Sequence, residues 1–262
     1  MKRLIYQVAV GNPSKLYEHC ISSVTRYCEK HNITQIVQRT PILRIKPDVF
    51  ATNRSVESYE KHGGFLPIYE KENAFDHFDT FDQIAIIDAD IYIRDSAPNI
   101  FDDFGTEHEF GAVAERDLPL TDSYQRKILN YSRMQYSSFE NIDWQWSSIT
   151  GGKFYNMGMM IMNKSFWTNH IGQDARAFIT RPEFKPFIDG MGAWKWSTDQ
   201  TLLNWYIRHQ DVKIKDMSWK WNSLFTAVRP EVVPEAHFIH FFLKDKLPEK
   251  GENVEELMRV IL

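Results

Sequence analysis

The chain alternates short apolar runs with stretches of helical spacing, and this alternation most constrains how it can fold. Runs of strand length occur at 4–10, 33–37, 84–87, 110–114, 157–162, 212–214 and 238–242. Helical spacing lies between several of them, at 14–30, 70–78, 164–179 and 198–208. Strands that alternate with helices are typical of an α/β fold with a mainly parallel central sheet. We therefore predict an α/β fold with helices flanking such a sheet.

The domain organisation is inferred from the absence of any segment in the sequence that would divide the chain. No repeat, low-complexity tract or Pro/Gly/Ser linker divides the chain, so we predict a single domain over residues 1–262. Residues 118–150 lack clean periodicity, which predicts an irregular insert of the kind that often carries function. Residues 252–262 predict a short closing helix, because their apolar side chains form one stripe.

Charge and hydropathy exclude two classes of protein. Lys and Arg total 31 against 35 Asp and Glu, so no broad cationic surface is expected and nucleic-acid binding is disfavoured. No charge-free stretch reaches 18 residues, and residues 4–10 indicate a first strand rather than a signal peptide. Cys20 and Cys28 stand too far apart on one helix to form a disulfide. We therefore expect a cytoplasmic location and leave peripheral attachment to a membrane open.

Two carboxylates, Asp88 and Asp90, directly follow the apolar run 84–87. Ligands of open α/β sheets bind beyond the carboxyl ends of the strands, which is where this pair is expected to lie. Residues i and i+2 of an extended segment point the same way, so the two carboxylates repel each other unless a cation binds. Their oxygen ligands suit Mg²⁺ or Mn²⁺. The alternative is a solvated turn, since an Asp-x-Asp arises by chance in a chain this rich in aspartate.

Four segments, taken in order, resemble one family. They are FDQIAIIDAD at 81–90 with Lys71 upstream, FYNMGMMIMN at 154–163, STDQTLLN at 197–204, and His240 followed by Lys246. Together they resemble the retaining glycosyltransferases with the GT-A fold, closest to glycosyltransferase family 8, which includes glycogenin and bacterial lipopolysaccharide glucosyl- and galactosyltransferases. The departures are Leu243, where the family has a glycine, and Leu247-Pro248 after the lysine.

The resemblance implies a fold and an activity. The fold would be the GT-A type, a Rossmann-like nucleotide-diphospho-sugar transferase fold. The activity would move a hexose from a nucleotide-sugar, UDP-glucose or UDP-galactose, to a hydroxyl of a carbohydrate or glycan acceptor with retention at the anomeric carbon. Mn²⁺, or Mg²⁺, would be held by Asp88, Asp90 and His240, and would offset the charge of the departing nucleoside diphosphate.

The resemblance also implies roles for single residues. Lys246 would bind the phosphates, Lys71 the phosphates or the sugar, and Asn156 the sugar hydroxyls. The catalytic pair would be Asp199, on the sugar hydroxyls, and Gln200, beneath the anomeric carbon. Gly158 has no Cβ and so permits close approach of a ligand or backbone. The end of the first strand should hold the nucleobase, so the expected substrate-binding set is Ala9, Asn12, Tyr17, Lys71, Asp88, Asn156, Gly158 and Lys246.

Several alternatives stay open at the level of sequence. His237 with Lys244 offers a competing register for the C-terminal motif, and helix capping alone explains an aspartate at position 199. A sugar nucleotidyltransferase shares the sheet and metal but needs a glycine-rich basic loop after strand one, and residues 10–14 hold one glycine and no arginine. A catalytically inert carbohydrate-binding paralogue is the other rival. Three Trp-x-Trp pairs are candidates for acceptor stacking, at 144/146, 194/196 and 219/221.

Overall fold

A mixed six-stranded sheet forms the centre of the fold. The computed structural model of the chain describes residues 1–11 and 14–261. Its strands are β1 (Arg3–Val8), β2 (Thr34–Gln38), β3 (Gln83–Ile87), β4 (Ile91–Ile93), β5 (Phe110–Ala114), β6 (Tyr155–Asn163), β7 (Ile214–Asp216), β8 (Ser223–Leu224) and β9 (Phe238–His240). The central sheet has the order β2-β1-β3-β6-β5-β7, and a small second sheet has the order β4-β9-β8. The predicted α/β class is confirmed.

Strand directions decide which residues meet at the edge of the sheet. Strands β2, β1 and β3 run parallel, and β5 runs parallel to β7. Strand β6 runs antiparallel to both of its neighbours, β3 and β5. Because of this reversal, the first residues of β6 lie at the edge where β3 ends. The predicted strand 238–242 is shorter than expected and belongs to the small sheet, where β9 pairs antiparallel with β4.

Helices cover both faces of the central sheet. They are α1 (Lys15–His31), α2 (Glu57–Glu60), α3 (Ile100–Phe104), α4 (Asp122–Tyr136), α5 (Lys164–Phe166), α6 (Ala175–Ile179), α7 (Lys185–Asp189), α8 (Asp199–His209) and α9 (Val254–Ile261). Helix α1 begins where Ser14 accepts a hydrogen bond from the Tyr17 backbone N–H and ends at Asn32 in the left-handed conformation. No helix among residues 1–11 and 14–261 is long and apolar enough to cross a membrane.

Three predicted helical or irregular segments differ from the structure. Residues 67–79 form a 3₁₀ helix rather than an α-helix, and 164–179 are divided into α5, one π-helical turn and α6. The segment 118–150, predicted as irregular, contains the 15-residue helix α4. The buried face of α4 includes Ser132 and Gln135, so its apolar periodicity is hidden in the sequence. The assignment of the chain to one domain stays a prediction.

The core lies in two layers, one on each face of the sheet. Strand residues alternate between them: Ile5 packs in one layer, and Leu4 and Tyr6 pack in the other. The same alternation holds in β6, where Met159 and Met160 belong to opposite layers. Burial on both faces explains why these strands read as continuous apolar runs.

Candidate active site

The turn from β3 into β4 joins the two sheets and carries both carboxylates of the Asp-x-Asp motif. The Asp88 backbone N–H donates to the Gly158 carbonyl at 2.8 Å, which continues the pairing of β3 with β6. The Asp90 carbonyl accepts from the Phe241 N–H at 2.9 Å, which ties the turn to the small sheet. The side chains of Asp88 and Asp90 are 24% and 15% exposed. The turn is therefore anchored at both ends and is not a solvated loop.

His240 is the histidine that joins this pair. It pairs with Ile91 across the small sheet, and its Nε2 lies 3.3 Å from Asp90 Oδ1 and 3.7 Å from Asp88 Oδ2. One ligand atom from each of the three residues falls within 4.8 Å of the others. His237 lies elsewhere, against the Trp221 ring with centroids 4.8 Å apart. The structure thus brings His240, and not His237, next to the two carboxylates.

The three groups perturb one another's protonation. Burial raises the pKa of Asp88, and the Lys71 ammonium offsets only part of that effect. Burial also acts to raise the pKa of Asp90, but the neighbouring His240 outweighs it and the pKa of Asp90 lies below its usual value. Burial acts to lower the pKa of His240, yet the Asp90 and Asp88 carboxylates raise it overall. Such opposed shifts in one cluster are typical of functional sites.

Lys71 connects the Asp-x-Asp turn to the start of α8. Its Nζ lies 2.6 Å from Asp88 Oδ1 and 3.1 Å from Asp199 Oδ2. Burial acts to lower the pKa of Lys71, but the Asp199 and Asp88 carboxylates raise it overall. The cap of α8 is Thr198, whose Oγ1 accepts from the Gln200 N–H at 3.2 Å. The carboxylate of Asp199 therefore does not cap its own helix and instead faces the lysine.

A chain of side-chain amides runs from His240 into the protein. His240 Nδ1 lies 3.0 Å from Asn222 Oδ1, and Asn222 Nδ2 donates to Asn156 Oδ1 at 2.8 Å. Asn156 Nδ2 donates in turn to Glu115 Oε1 at 2.7 Å, and Gln200 Nε2 donates to the same oxygen at 3.3 Å. The Gly158 N–H also donates to Asn156 Oδ1, at 2.9 Å, so this oxygen accepts and the N–H₂ of Asn156 faces Glu115. With that direction set, Asn222 accepts from His240 Nδ1–H and leaves Nε2 free to bind a metal.

Gly158 explains how the imidazole fits against β6. A Cβ built on Gly158 would stand 2.7 Å from His240 Nδ1 and 2.9 Å from Asn156 Oδ1, closer than a Cβ approaches other atoms in folded proteins. The absence of a side chain at Gly158 therefore serves the packing of His240. Its expected role in substrate binding stays a prediction.

We expect Gly158→Ala to displace His240 and to weaken Mn²⁺ binding. Overpacking of this kind costs about 1–3 kcal/mol of folding free energy. Gly152→Ala is the matched control, because the nearest atoms to its added Cβ lie 3.2 Å away or farther. Melting temperature and a Mn²⁺ titration would be measured for both variants. Normal Mn²⁺ binding by Gly158→Ala would show that His240 does not depend on this contact.

These groups line one cavity of about 340 Å³. The structure brings together most of the predicted site residues there, namely Tyr17, Lys71, Asp88, Asp90, Asn156, Gly158, Asp199, Gln200 and His240. Ala9 is not among them, because strand alternation turns it toward Ile21 and Ala89 while Val8 and Val10 face the cavity. Asn12 lies outside the described residues.

The predicted phosphate lysine, Lys246, also does not line the cavity. Its Nζ lies 6.0 Å from the Tyr124 ring centroid, over helix α4. Lys244 does not line the cavity either, but its Nζ lies 3.6 Å from the ring centroid of Tyr17, which does. Leu243 has φ 58°, in the left-handed region that glycine adopts most easily. The expected role of Lys246 in binding the phosphates stays a prediction, and so does the competing register with Lys244.

Two residues of the hydrogen-bonded network at the site were missed in the sequence, Glu115 and Asn222. Glu115 directly follows β5, and this is the same signal, a carboxylate after a buried apolar run, that singled out Asp88. Asn222 carries no such signal, because only the pairing of β8 with β9 brings it next to His240. Burial raises the pKa of Glu115, and the Asn156 and Gln200 amides offset part of that effect.

The tryptophan pairs include buried, half-buried and exposed rings, and Trp194 and Trp219 are half-buried against the core. Trp144 and Trp221 are buried in the core, whereas Trp146 and Trp196 are 47% and 58% exposed. Trp196 lies two residues before Thr198, which lines the cavity. Only the exposed rings remain candidates for stacking on an acceptor sugar.

The architecture defines a class of fold, and the comparison with solved structures agrees with it. No family model and no curated protein matches the sequence. The structure has the GT-A fold that the resemblance implied.

Several solved structures of glycosyltransferases share that fold. A glycosyltransferase involved in glycosylation of the major capsid of PBCV-1 is 12% identical, with a TM-score of 0.55 over 98% of this chain and 100% of that one. The galactosyltransferase LgtC, in complex with donor and acceptor sugar analogues, is 10% identical, with a TM-score of 0.51 over 98% and 95%. Mouse xyloside xylosyltransferase 1 is 10% identical, with a TM-score of 0.50 over 95% and 100%.

Proposed function

We propose that the protein is a metal-dependent glycosyltransferase that moves a hexose from a nucleotide-sugar to a hydroxyl of a carbohydrate acceptor. The observation that carries this proposal is the convergence of Asp88, Asp90 and His240 on one point of a cavity that also holds Lys71 and Asp199. Solved structures with the same fold are named as glycosyltransferases. The fold supports the class of reaction, and the site supports its chemistry.

The donor set fits a divalent cation. Two carboxylates and one imidazole, with the other ring nitrogen engaged by Asn222, match the oxygen and nitrogen ligands of Mn²⁺, and Mg²⁺ is the alternative. Within the described residues, the ion pairs of these two partly buried carboxylates are with Lys71 and His240, and a divalent cation would add positive charge between the carboxylates. A cation held there would offset the negative charge that grows on the diphosphate as the glycosidic bond breaks.

We infer that Lys71 and Asp199 orient the sugar. Their ion pair fixes both side chains at the cavity wall, so Lys71 presents a permanent positive charge and Asp199 a hydrogen-bond acceptor. An anionic donor phosphate would compete for Lys71 with the carboxylates that now hold it. We infer that donor binding takes over part of the Lys71 contacts and leaves Asp199 free to accept from a sugar hydroxyl.

Gln200 is held in one orientation by both ends of its amide. Its Nε2 donates to Glu115, and its Oε1 accepts from the Met157 N–H at 3.3 Å. A fixed neutral dipole at the cavity wall suits a developing positive charge at an anomeric carbon better than a mobile one. This orientation supports the proposal of retention at the anomeric carbon. The proposed donors, UDP-glucose and UDP-galactose, follow from the family resemblance.

The proposal predicts stabilisation that needs metal and nucleotide together. UDP with Mn²⁺ at a hundredfold excess over Kd should add about 2.7 kcal/mol to the free energy of unfolding. For a chain of this size that is about 5–10 °C in melting temperature. UDP with EDTA is the control, and equal shifts in both conditions would contradict the metal site.

A hydrolysis screen then identifies the donor. Each nucleotide-sugar is incubated with Mn²⁺ and no acceptor, and slow release of nucleoside diphosphate marks the donor. Release of pyrophosphate from a nucleoside triphosphate and a sugar phosphate would favour a nucleotidyltransferase instead. Stabilisation by UDP and Mn²⁺ with no turnover of any donor would favour an inert carbohydrate-binding paralogue.

A further inference from the structure

A second cavity, of about 460 Å³, carries a marked excess of positive charge. It shares no lining residue with the candidate active site. The loop 44–46 forms one wall, and residues 176–189, from α6 to α7, form the other. Five basic side chains line it, but only one acidic one, Asp189; the five are Arg44, Lys46, Arg176, Arg181 and Lys185. The chain as a whole has a net charge of −4, so this concentration of positive charge is local.

Most of that charge is not neutralised within the protein. Asp189 is already engaged, because its carboxylate binds Lys185 Nζ at 2.7 Å and accepts from the Asp48 N–H at 2.7 Å. Lys185 is the only one of the five basic residues in an ion pair within residues 1–11 and 14–261. The other four basic side chains therefore present their charge to whatever enters the cavity.

Two of the four are held in place by hydrogen bonds to neutral groups. Arg176 Nη2 donates to the carbonyls of Ile42 and Leu43, at 3.1 Å and 2.7 Å. Arg181 donates to the Tyr206 hydroxyl at 3.0 Å and to the Ile171 carbonyl at 2.9 Å. These bonds fix the guanidinium groups without cancelling their charge, which is how a site for phosphate is preorganised.

Apolar side chains stand exposed on the loop that borders the cavity. Phe50 is 97% exposed, Val49 59% and Ile42 50%. The loop is ordered, since Phe50 N–H donates to Asp48 Oδ1 at 3.0 Å and Asp48 is joined to Lys185 and Asp189. The exposed ring is therefore held outward by a fixed turn, although exposure of this kind is unfavourable in water.

We propose that this surface binds a membrane that contains anionic phospholipids. The charge complements the phosphate of a lipid headgroup, and the outward Phe50 and its apolar neighbours match the interfacial region beside that headgroup. A free anion would bind the basic side chains of the cavity but would leave the Phe50 ring exposed to water. An acidic protein partner would likewise leave Phe50 in water unless it also offered an apolar pocket. This inference stands apart from the proposed function, because no residue of the candidate active site takes part.

The test is co-sedimentation of the full chain with vesicles. Vesicles of phosphatidylcholine alone are compared with vesicles in which phosphatidylglycerol replaces a third of the lipid. We expect binding to the anionic vesicles only, with loss in high salt. Phe50→Ser and Lys46→Glu should each weaken that binding by about fivefold or more. Val260→Ser and Lys164→Glu are the matched controls, because they alter an exposed apolar side chain and an exposed lysine elsewhere.

The melting temperature should be the same in all four variants, which confirms that each is folded. Ile42→Ser replaces Phe50→Ser if that variant fails to fold. Equal binding to neutral vesicles, or unchanged binding by both Phe50→Ser and Lys46→Glu, would overturn the proposal. Thermal stabilisation by inorganic phosphate without any vesicle binding would also overturn it and assign the cavity to a free anion.

Discussion

Replacement of either Asp88 or Asp90 by asparagine should reduce Mn²⁺-dependent turnover of the donor by about a hundredfold or more. Both carboxylates converge with His240 on one point, and an amide keeps their shape while it removes the negative charge. Turnover would be measured as release of nucleoside diphosphate at saturating Mn²⁺. Near-normal turnover in both variants would end the proposed mechanism.

The two variants should differ in stability when no metal is present. Because burial raises the pKa of Asp88, its neutral form is favoured in the fold and Asp88→Asn should keep or raise the melting temperature. Lys71 retains Asp199 as a partner in that variant. Because His240 holds the pKa of Asp90 below its usual value, its ionised form is favoured and Asp90→Asn should lower the melting temperature.

The measurement is thermal unfolding in EDTA at neutral pH. Asp95→Asn is the matched control, since its carboxylate is 78% exposed and its replacement should change little. Equal effects of Asp88→Asn and Asp90→Asn would show that Lys71 and His240 do not distinguish the two carboxylates.

The parts of the site that the sequence predicted are those that a local pattern marks. A buried apolar run that ends in carboxylates places Asp88 and Asp90 at the edge of a sheet, whatever the order of the strands. Asp199 is marked in the same way by the start of a helix. The prediction that both lie in one cavity came from the family resemblance, and the ion pairs of Lys71 with Asp88 and Asp199 are what join them.

The parts that were missed depend on pairing between distant segments. Asn222 reaches the site only because β9, which carries His240, lies between β4 and β8. Strand β6 runs antiparallel to β3, and this brings Asn156 to the edge where β3 ends. The apolar run of β6 does not predict this direction, because its composition is the same in either direction. Helix α4 was missed because polar side chains occupy part of its buried face.

Two buried glutamates, two residues apart, show that burial alone does not decide whether a carboxylate is stabilised in the fold. Glu70 and Glu72 are both fully buried, at 0% and 1% exposure. Glu70 accepts four hydrogen bonds at 2.6–3.0 Å, from the backbone N–H groups of residues 42, 43 and 44 and from Gln38. Within the described part of the chain, neither carboxyl oxygen of Glu72 has a hydrogen-bond partner. The first carboxylate is therefore stabilised by the fold, and the second is not.

Burial, together with the nearby Asp199 carboxylate, raises the pKa of Glu72 to about 8. An unfolded chain releases the same proton near pH 4.5. Between these two values the native state holds one more proton than the unfolded state, so stability falls as the pH rises. By pH 8 the free energy of unfolding has fallen by an amount on the order of 4 kcal/mol. The reason is that a difference of one bound proton changes this free energy by about 1.36 kcal/mol per pH unit.

Glu72→Gln should remove that dependence, because its amide does not titrate. Compared with the wild type, the variant should gain in unfolding free energy as the pH rises from 5.5 to 8. Glu70→Gln is the matched control, and it should be destabilised at every pH, since its amide N–H₂ would face the donors that Glu70 now satisfies. Denaturant unfolding of the three proteins at both pH values is the measurement. Parallel changes in wild type and Glu72→Gln would show that Glu72 is already ionised in the native state at pH 5.5, against the pKa that its burial raises.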